Sequence, residues 1–158
     1  MKTAYLLLGS NLGDRNAALK NAAEHLASED VRVLRVSSVY ETEPQYVRDQ
    51  PWFLNQAVEI ETSLFPRRLL SRVKKIERAM GRQTTRPNGP RLIDIDILLY
   101  GESVVSTPEL EIPHPRLAER RFALEPLAEL APELRHPRTR RTVREMLADV
   151  KGQAVRKR

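Results

Sequence analysis

The segment Arg91-Leu92-Ile93-Asp94-Ile95-Asp96-Ile97-Leu98-Leu99 constrains this chain more than any other part of it. Its alternation has the two-residue period of an extended strand, on which successive side chains point to opposite faces. Ile93, Ile95, Ile97 and Leu99 then share one face, and Asp94 and Asp96 share the other. Two residues of strand rise place the Cα atoms of the aspartates about 6.6 Å apart. Carboxylates this close repel each other unless a proton or cation lies between them. Oxygen ligands in a chain without cysteine point to Mg²⁺ rather than zinc. Taken alone, the pattern also describes an antiparallel strand with one solvated face. Upstream lies a loop, residues 82–90, with Arg82 and Arg86, and Arg91 follows it. Guanidinium forks match phosphate oxygens, so carboxylates for a cation beside arginines for phosphate are the parts that phosphoryl transfer needs. Read in isolation, the arginine loop is equally an ordinary solvated loop.

The rest of the chain supplies a frame for that strand. Residues 3–8 are apolar and run into the turn Gly9-Ser10-Asn11, a strand followed by a helix that Asp14 caps. Residues 31–42 read as one strand, residues 43–51 as a polar loop, and residues 53–62 as an alternating strand. In that last strand Leu54, Gln56, Val58 and Ile60 oppose Asn55, Ala57, Glu59 and Glu61. Pro66 opens a helix whose apolar stripe is Leu69, Leu70, Val73, Ile76 and Met80, and Gly81 ends it. Gly101 and Pro108 frame a turn or small hairpin. Residues 121–130 and 142–150 read as helices, the first interrupted or begun near Pro126. The order predicts a βαββαβ ferredoxin-like α+β core with an antiparallel-rich sheet, helices on one face and additional C-terminal helices.

The chain has 158 residues, enough for one core, and residues 1–158 are expected to form a single domain with a basic C-terminal tail at about 151–158. No apolar run approaches the ~20 residues of a membrane span, and the N-terminus lacks the features of a signal peptide. The absence of cysteine excludes disulfides and thiolate metal sites, and a cytoplasmic location with no membrane partner is the expectation. The net charge of +6 suits nucleic acid, acidic lipid or a phosphate-rich small molecule without choosing among them.

The run Asn88-Gly89-Pro90-Arg91-Leu92-Ile93-Asp94-Ile95-Asp96-Ile97-Leu98 closely resembles the signature of the 6-hydroxymethyl-7,8-dihydropterin pyrophosphokinase family. Gly9-Ser10-Asn11-Leu12-Gly13-Asp14, Ser37-Ser38-Val39-Tyr40-Glu41-Thr42, Asp49-Gln50-Pro51-Trp52-Phe53-Leu54-Asn55 and Ile112-Pro113-His114-Pro115 are similar to further segments of that family, in the same order. Asn88 departs from the pattern, since members often carry an aromatic residue there.

The resemblance implies transfer of diphosphate from ATP to the pterin hydroxymethyl group, with release of AMP, in folate biosynthesis. It implies that Asp94 and Asp96 bind two Mg²⁺ ions and, with Arg82 and Arg91, form the catalytic set. ATP would be bound by Glu77, Arg82, Arg91, Ile97, His114 and Arg120. The pterin would lie between Phe53 and Phe122, with Asn55, Thr42 and the backbone near Gly9 at its edge. Without the resemblance, His114 reads as a structural residue of a proline-rich turn, Arg120 as a surface charge and Glu77 as a solvated helix edge. The phenylalanines then read as core and Asn55 as a polar strand position.

Two other classes compete. A ferredoxin-like RNA-binding module needs exposed aromatics interleaved with basic residues on its sheet, where this chain offers Asp94, Asp96, Glu59 and Glu61. A non-catalytic nucleotide-sensing domain would bind ATP without consuming it. Both rank below a monomeric enzyme that acts on small molecules and has no nucleic-acid partner.

Overall fold

A strand apolar on both faces needs cover on both sides. In the computed structural model, which describes residues 1–44, 49–81 and 91–158, the N-terminal apolar run is β1 (Lys2–Ser10), buried from Ala4 to Ser10. β1 pairs antiparallel with β4 (Phe53–Thr62) on one side and β5 (Asp94–Tyr100) on the other. β2 (Val31–Val36) and β3 (Tyr40–Thr42) both pair with β4, and β8 (Val155–Lys157) pairs with β3. The sheet order is β5-β1-β4-β3-β8, with β2 also on β4. With α1 (Arg15–Leu26) after β1 and α2 (Pro66–Ala79) after β4, the core is the expected ferredoxin-like βαββαβ. β6 (Val105–Ser106) and β7 (Glu111–Ile112) form the small hairpin.

Each face of β1 carries its own core. Ala4, Leu6 and Leu8 pack with Leu19 and Ala22 of α1 and with Leu69, Val73 and Ile76 of α2. Tyr5 and Leu7 pack on the other face with Ala123, Leu124 and Leu127 of α3 (Arg121–Leu130) and with Val143 and Met146 of α4 (Val143–Ala148). Helices therefore lie on both faces, where the strand order suggested one. The second pair covers apolar side chains that would otherwise face water, each contributing about 1.5–3 kcal/mol when fully buried.

The local signals act as expected at the helix ends. Asp14 accepts the Ala17 N–H at 3.0 Å, Pro66 starts α2, and Gly81 follows α2 with φ +87°. Thr142 and Glu145 form a capping box, so Thr142 precedes α4 rather than lying within it. α3 runs through Pro126, whose missing N–H costs one helical bond to the Phe122 carbonyl.

Three readings of the strands change. The strand expected over residues 31–42 breaks after Val36. Ser37 puts its hydroxyl, not its carbonyl, on the Ala57 N–H (2.9 Å), and its carbonyl accepts from the Gln56 side chain (2.8 Å). Leu99 does not share the isoleucine face. The pairing of β5 with β1 shifts register between Leu6↔Ile97 and Tyr5↔Leu99, so Leu98 is the extra residue of a bulge, and Leu98 and Leu99 both join the second core. The basic end read as a solvated tail supplies the edge strand β8. Among the described residues, no helix is long and apolar enough to cross a membrane.

α3 is tied to the sheet by polar contacts as well as by packing. Buried Glu59 accepts the Tyr5 hydroxyl at 2.6 Å and two N–H groups of Arg35 at 3.0 Å, and Arg35 also donates to the Leu130 carbonyl at the end of α3 (2.8 Å). Hydrogen bonds from Arg35 hold the Glu59 carboxyl below its usual range against the opposing effect of burial. Glu59→Ala should destabilise the protein by about 2 kcal/mol in urea unfolding, because it strands the buried Tyr5 hydroxyl. Tyr5→Phe should cost less, since it removes donor and need together.

Candidate active site

The site grows out of the register of β1. Gly9 stands opposite Asn55 on β4 and opposite Asp94 on β5, and paired residues face the same side of a sheet. Strands lie about 4.8 Å apart, so Asn55 and Asp94 are held about 10 Å from each other across the glycine. A Cβ on Gly9 would lie 2.8 Å from Asn55 Nδ2 and 3.7 Å from Phe53 Cδ1. The missing side chain opens a trough on the face where α3 begins.

That trough is a cleft of about 200 Å³. On its β4 side it is lined by Phe53, Asn55 and Thr42, and on its β5 side by Asp94, Asp96 and Arg91. His114, Arg120 and Phe122 complete the wall. Residues expected from all five of the segments that carry the resemblance, with Arg120 and Phe122, thus meet in one place. Two do not line it. Ile97 is 5% exposed and its side chain packs in the first core, on the far face. Glu77 lies on α2, is 2% exposed, and its carboxylate takes the Ile95 N–H at 2.8 Å. It is a buried brace of the aspartate strand, not a solvated helix edge. Arg82 and Asn88 lie outside the described residues.

Asn55 is oriented from two sides. The Thr42 hydroxyl donates to its Oδ1 at 2.6 Å, and its Nδ2 donates to the Leu8 carbonyl at 3.3 Å. Its amide is therefore fixed within the cleft wall. Phe53 and Phe122 come from β4 and from the first turn of α3, and the Arg120 guanidinium lies 5.3 Å from the Phe122 ring centre.

Across the glycine, the Arg91 guanidinium pairs with Asp94 at 3.3 Å. Burial first, and the charge of Asp94 second, push the Asp96 carboxyl well above the usual carboxylate range. A divalent cation at the pair would remove both costs, and carboxylate oxygens are the ligands that Mg²⁺ prefers. Among the described residues no group of three or more His, Asp or Glu side chains that could hold a metal occurs, and phosphate oxygens and water are ligands that Mg²⁺ takes beside one or two carboxylates. The bulge carbonyl of Leu98 accepts the His114 N–H at 3.0 Å, which ties His114 to the aspartate strand. Burial, aided by Arg120, pulls the imidazole down to about 4. Its Nδ1 accepts from the Arg116 N–H at 3.3 Å, so the neutral ring carries its proton on Nε2, a donor for an anionic oxygen.

Sequence reasoning missed Leu7, Glu43, Pro44 and Gln50 in the lining, although the last three belong to the polar loop it had singled out. It also missed the role of Asn11. This side chain is 1% exposed, accepts the Arg91 N–H at 2.8 Å, and donates to Gln50 Oε1 and the Pro51 carbonyl, both at 2.9 Å. It joins the base of the arginine loop to the base of the polar loop. Its place in the turn after β1, within a segment similar to the family, was the available signal.

A ferredoxin-like domain with a carboxylate pair and an aromatic pair opening into one cleft is the class of protein that fold and site define. The family model for 7,8-dihydro-6-hydroxymethylpterin-pyrophosphokinase (HPPK) matches residues 5–132, and the chain belongs to that family. It is 50% identical over 135 residues to the 2-amino-4-hydroxy-6-hydroxymethyldihydropteridine pyrophosphokinase of Methylorubrum extorquens, covering 85% of this chain and 85% of that protein. It is 46% identical over 156 residues to the folic acid synthesis protein fol1 of Schizosaccharomyces pombe, covering 98% of this chain but only 21% of that relative's length. The crystal structure of Plasmodium falciparum HPPK-DHPS wild type with pteroate shares the fold, with a TM-score of 0.75 at 19% identity over 94% of this chain and 42% of that one.

The raised Asp96 carboxyl has a stability consequence. A group whose folded pKa exceeds its unfolded value favours folding while protonated, and that contribution is lost as pH rises through the folded value. Asp96→Asn should therefore raise the melting temperature of the metal-free protein at pH 7 by about 3 °C. The gain should shrink toward pH 4, where the wild-type carboxyl is protonated in the folded state. A pH series of thermal melts in chelator checks both.

Proposed function

We propose that this protein transfers the diphosphate of ATP to the hydroxymethyl group of 6-hydroxymethyl-7,8-dihydropterin, giving AMP and the pterin diphosphate, in folate biosynthesis. The observation that carries the reading is the shared cleft, in which a carboxylate pair and an aromatic pair are held one glycine apart. The family membership and the names of the relatives support the same reaction.

In this reading Phe53 and Phe122 hold the flat ring between them, and the fixed amide of Asn55, with Thr42 and the Gly9 backbone, meets its polar edge. The ring's hydroxymethyl group then points across Gly9 toward β5. Asp94 and Asp96 would hold two Mg²⁺ ions with the triphosphate, and the ions would supply charge neutralisation on the transferred group. Arg91, anchored through its backbone by Asn11, serves the phosphates with Arg82 and Arg120. Neutral His114 donates from Nε2 to a phosphate oxygen. Glu77 acts from behind β5, holding through the Ile95 N–H the strand that carries the carboxylates, and the Ile97 side chain anchors that strand in the first core. These groups act by positioning and by stabilising charge, with no covalent intermediate on the protein. The protein works as a cytoplasmic monomer on these two small substrates, without a nucleic-acid or membrane partner.

Incubation with ATP, Mg²⁺ and the pterin should release AMP and a pterin carrying two phosphates, followed by mass spectrometry. Formation of ADP would overturn the reaction assignment, and binding of ATP without turnover would favour a nucleotide-sensing domain. Gly9→Ala drives a methyl group into an amide held at both ends, so it should raise KM for the pterin about tenfold while KM for ATP changes little. Steady-state kinetics with each substrate varied in turn would separate these effects.

A further inference from the structure

Residues 151–158 span the two walls of the cleft without entering it. At one end Gln153 sits at the start of α3. Its side-chain oxygen accepts the Arg121 N–H (2.9 Å), its amide nitrogen donates to the Glu119 carbonyl (2.7 Å), and its own carbonyl accepts from the Arg121 guanidinium (2.6 Å). The same guanidinium donates to the Lys151 carbonyl at 2.9 Å. α3 has no side-chain cap from Arg120, so Gln153 takes that place. The residues on either side of Arg121 are Arg120 and Phe122, both in the cleft wall.

At the other end the segment becomes β8, and the Glu43 N–H continues the ladder to the Ala154 carbonyl (3.2 Å). Arg156 stands opposite Glu41, pairs with its carboxylate at 2.8 Å, and lies 4.7 Å from the centre of the Trp52 ring. Arg15 reaches the same two residues from α1, at 3.1 Å to the Glu41 carboxylate and 2.9 Å to the Trp52 carbonyl. Glu41 and Trp52 immediately precede Thr42 and Phe53, which line the opposite wall. Protecting the β3 edge would require only backbone pairing. The side-chain contacts at each end instead converge on the neighbours of the residues that face each other across the cleft.

We propose that residues 151–158 form a strap that sets the separation of the Phe53 and Phe122 walls, with Gln153 and Arg156 as positioning residues for the pterin half of the site. The proposal rests on the reading of this cleft as the pterin site. Two stacked rings tolerate little change in spacing, because dispersion falls steeply with a gap of a fraction of an ångström. In this reading ATP is held chiefly by Asp94, Asp96 and Arg91 on the other side of Gly9 and shares only Arg120 with the Phe122 wall, so it depends far less on this spacing.

The test uses the full chain as wild type, Gln153→Ala, Arg156→Ala, the double variant and Arg156→Lys. Pterin affinity is measured by calorimetry with Mg²⁺ and a non-hydrolysable ATP analogue, alongside KM for each substrate, kcat and thermal melts. Trp52 is the single tryptophan, so its emission in the ligand-free protein reports the Arg156 contact directly and should shift to longer wavelength in Arg156→Ala. The double variant should weaken pterin binding about tenfold, with ATP KM and saturating kcat within about twofold of wild type. Arg156→Lys, which keeps the charge for Glu41 and Trp52, should recover most of the loss caused by Arg156→Ala. If the double variant melts below the assay temperature, the two single variants carry the same expectation at about threefold each. Unchanged pterin affinity in a folded variant, or parallel loss of pterin and ATP affinity, would overturn the strap alone, provided the wild type binds pterin. A wild type that binds no pterin would overturn the reading of the cleft and the strap's role with it.

Discussion

The register of β1 between β4 and β5 is the constraint on which the rest of this structure depends. A β-ladder admits only discrete offsets, and a slip of one residue would send every side chain of the strand to the other face. Here the offset is pinned from both sides, by Ala4, Leu6 and Leu8 in one core and Tyr5 and Leu7 in the other. The spacing between the aromatic and acidic halves of the cleft is therefore set by backbone hydrogen bonds, which move far less than side chains do. The smallest residue lies between Asn55 and Asp94, where the two halves meet.

The second core gives that register its functional side. α3 and α4 cover one part of the sheet and stop where the cleft begins, so one helix both seals apolar surface and presents Phe122 at its first turn. Its two ends are fixed by unlike means. Arg35 and Glu129 tie the C-terminal end to β2 and to the break before β3, and Gln153 holds the N-terminal end. The bulge at Leu98 adds a link of its own. The residue that spoils strict alternation in β5 offers the carbonyl that seats His114 beside the aspartates.

Much of this was legible in the residues. The alternation of Ile93, Asp94, Ile95 and Asp96, the stripe of α2, and the caps at Asp14 and Gly81 are local patterns, and each one holds. What escaped depends on partners distant in the chain. Leu99 changes face because of how β5 meets Tyr5, and the strand at 31–42 breaks because Ser37 finds Ala57; neither partner is visible within a window of neighbouring residues. The basic end looked solvated because charge says nothing of backbone pairing, and β3 was the missing partner. Most of the site was legible through resemblance and not through period or composition. Phe53 and Phe122 are single aromatics whose meeting only the fold reveals. Asn11 and Trp52 act through contacts that no motif announces.

The Thr42–Asn55 hydrogen bond has a consequence for stereochemical outcome. A side-chain amide is nearly symmetric in shape, and a planar ring can enter a slot between two aromatic walls in either of two orientations. The Leu8 carbonyl, which can only accept, decides in advance which end of the amide is the donor, and the Thr42 hydroxyl donates to the other end. Donors and acceptors on the ring's edge then match in one orientation and clash in the flipped one. In the proposed reading, only the matched orientation turns the reactive arm toward β5. Under that reading, hydrogen bonds wholly within the protein wall govern which end of the bound molecule is available for chemistry.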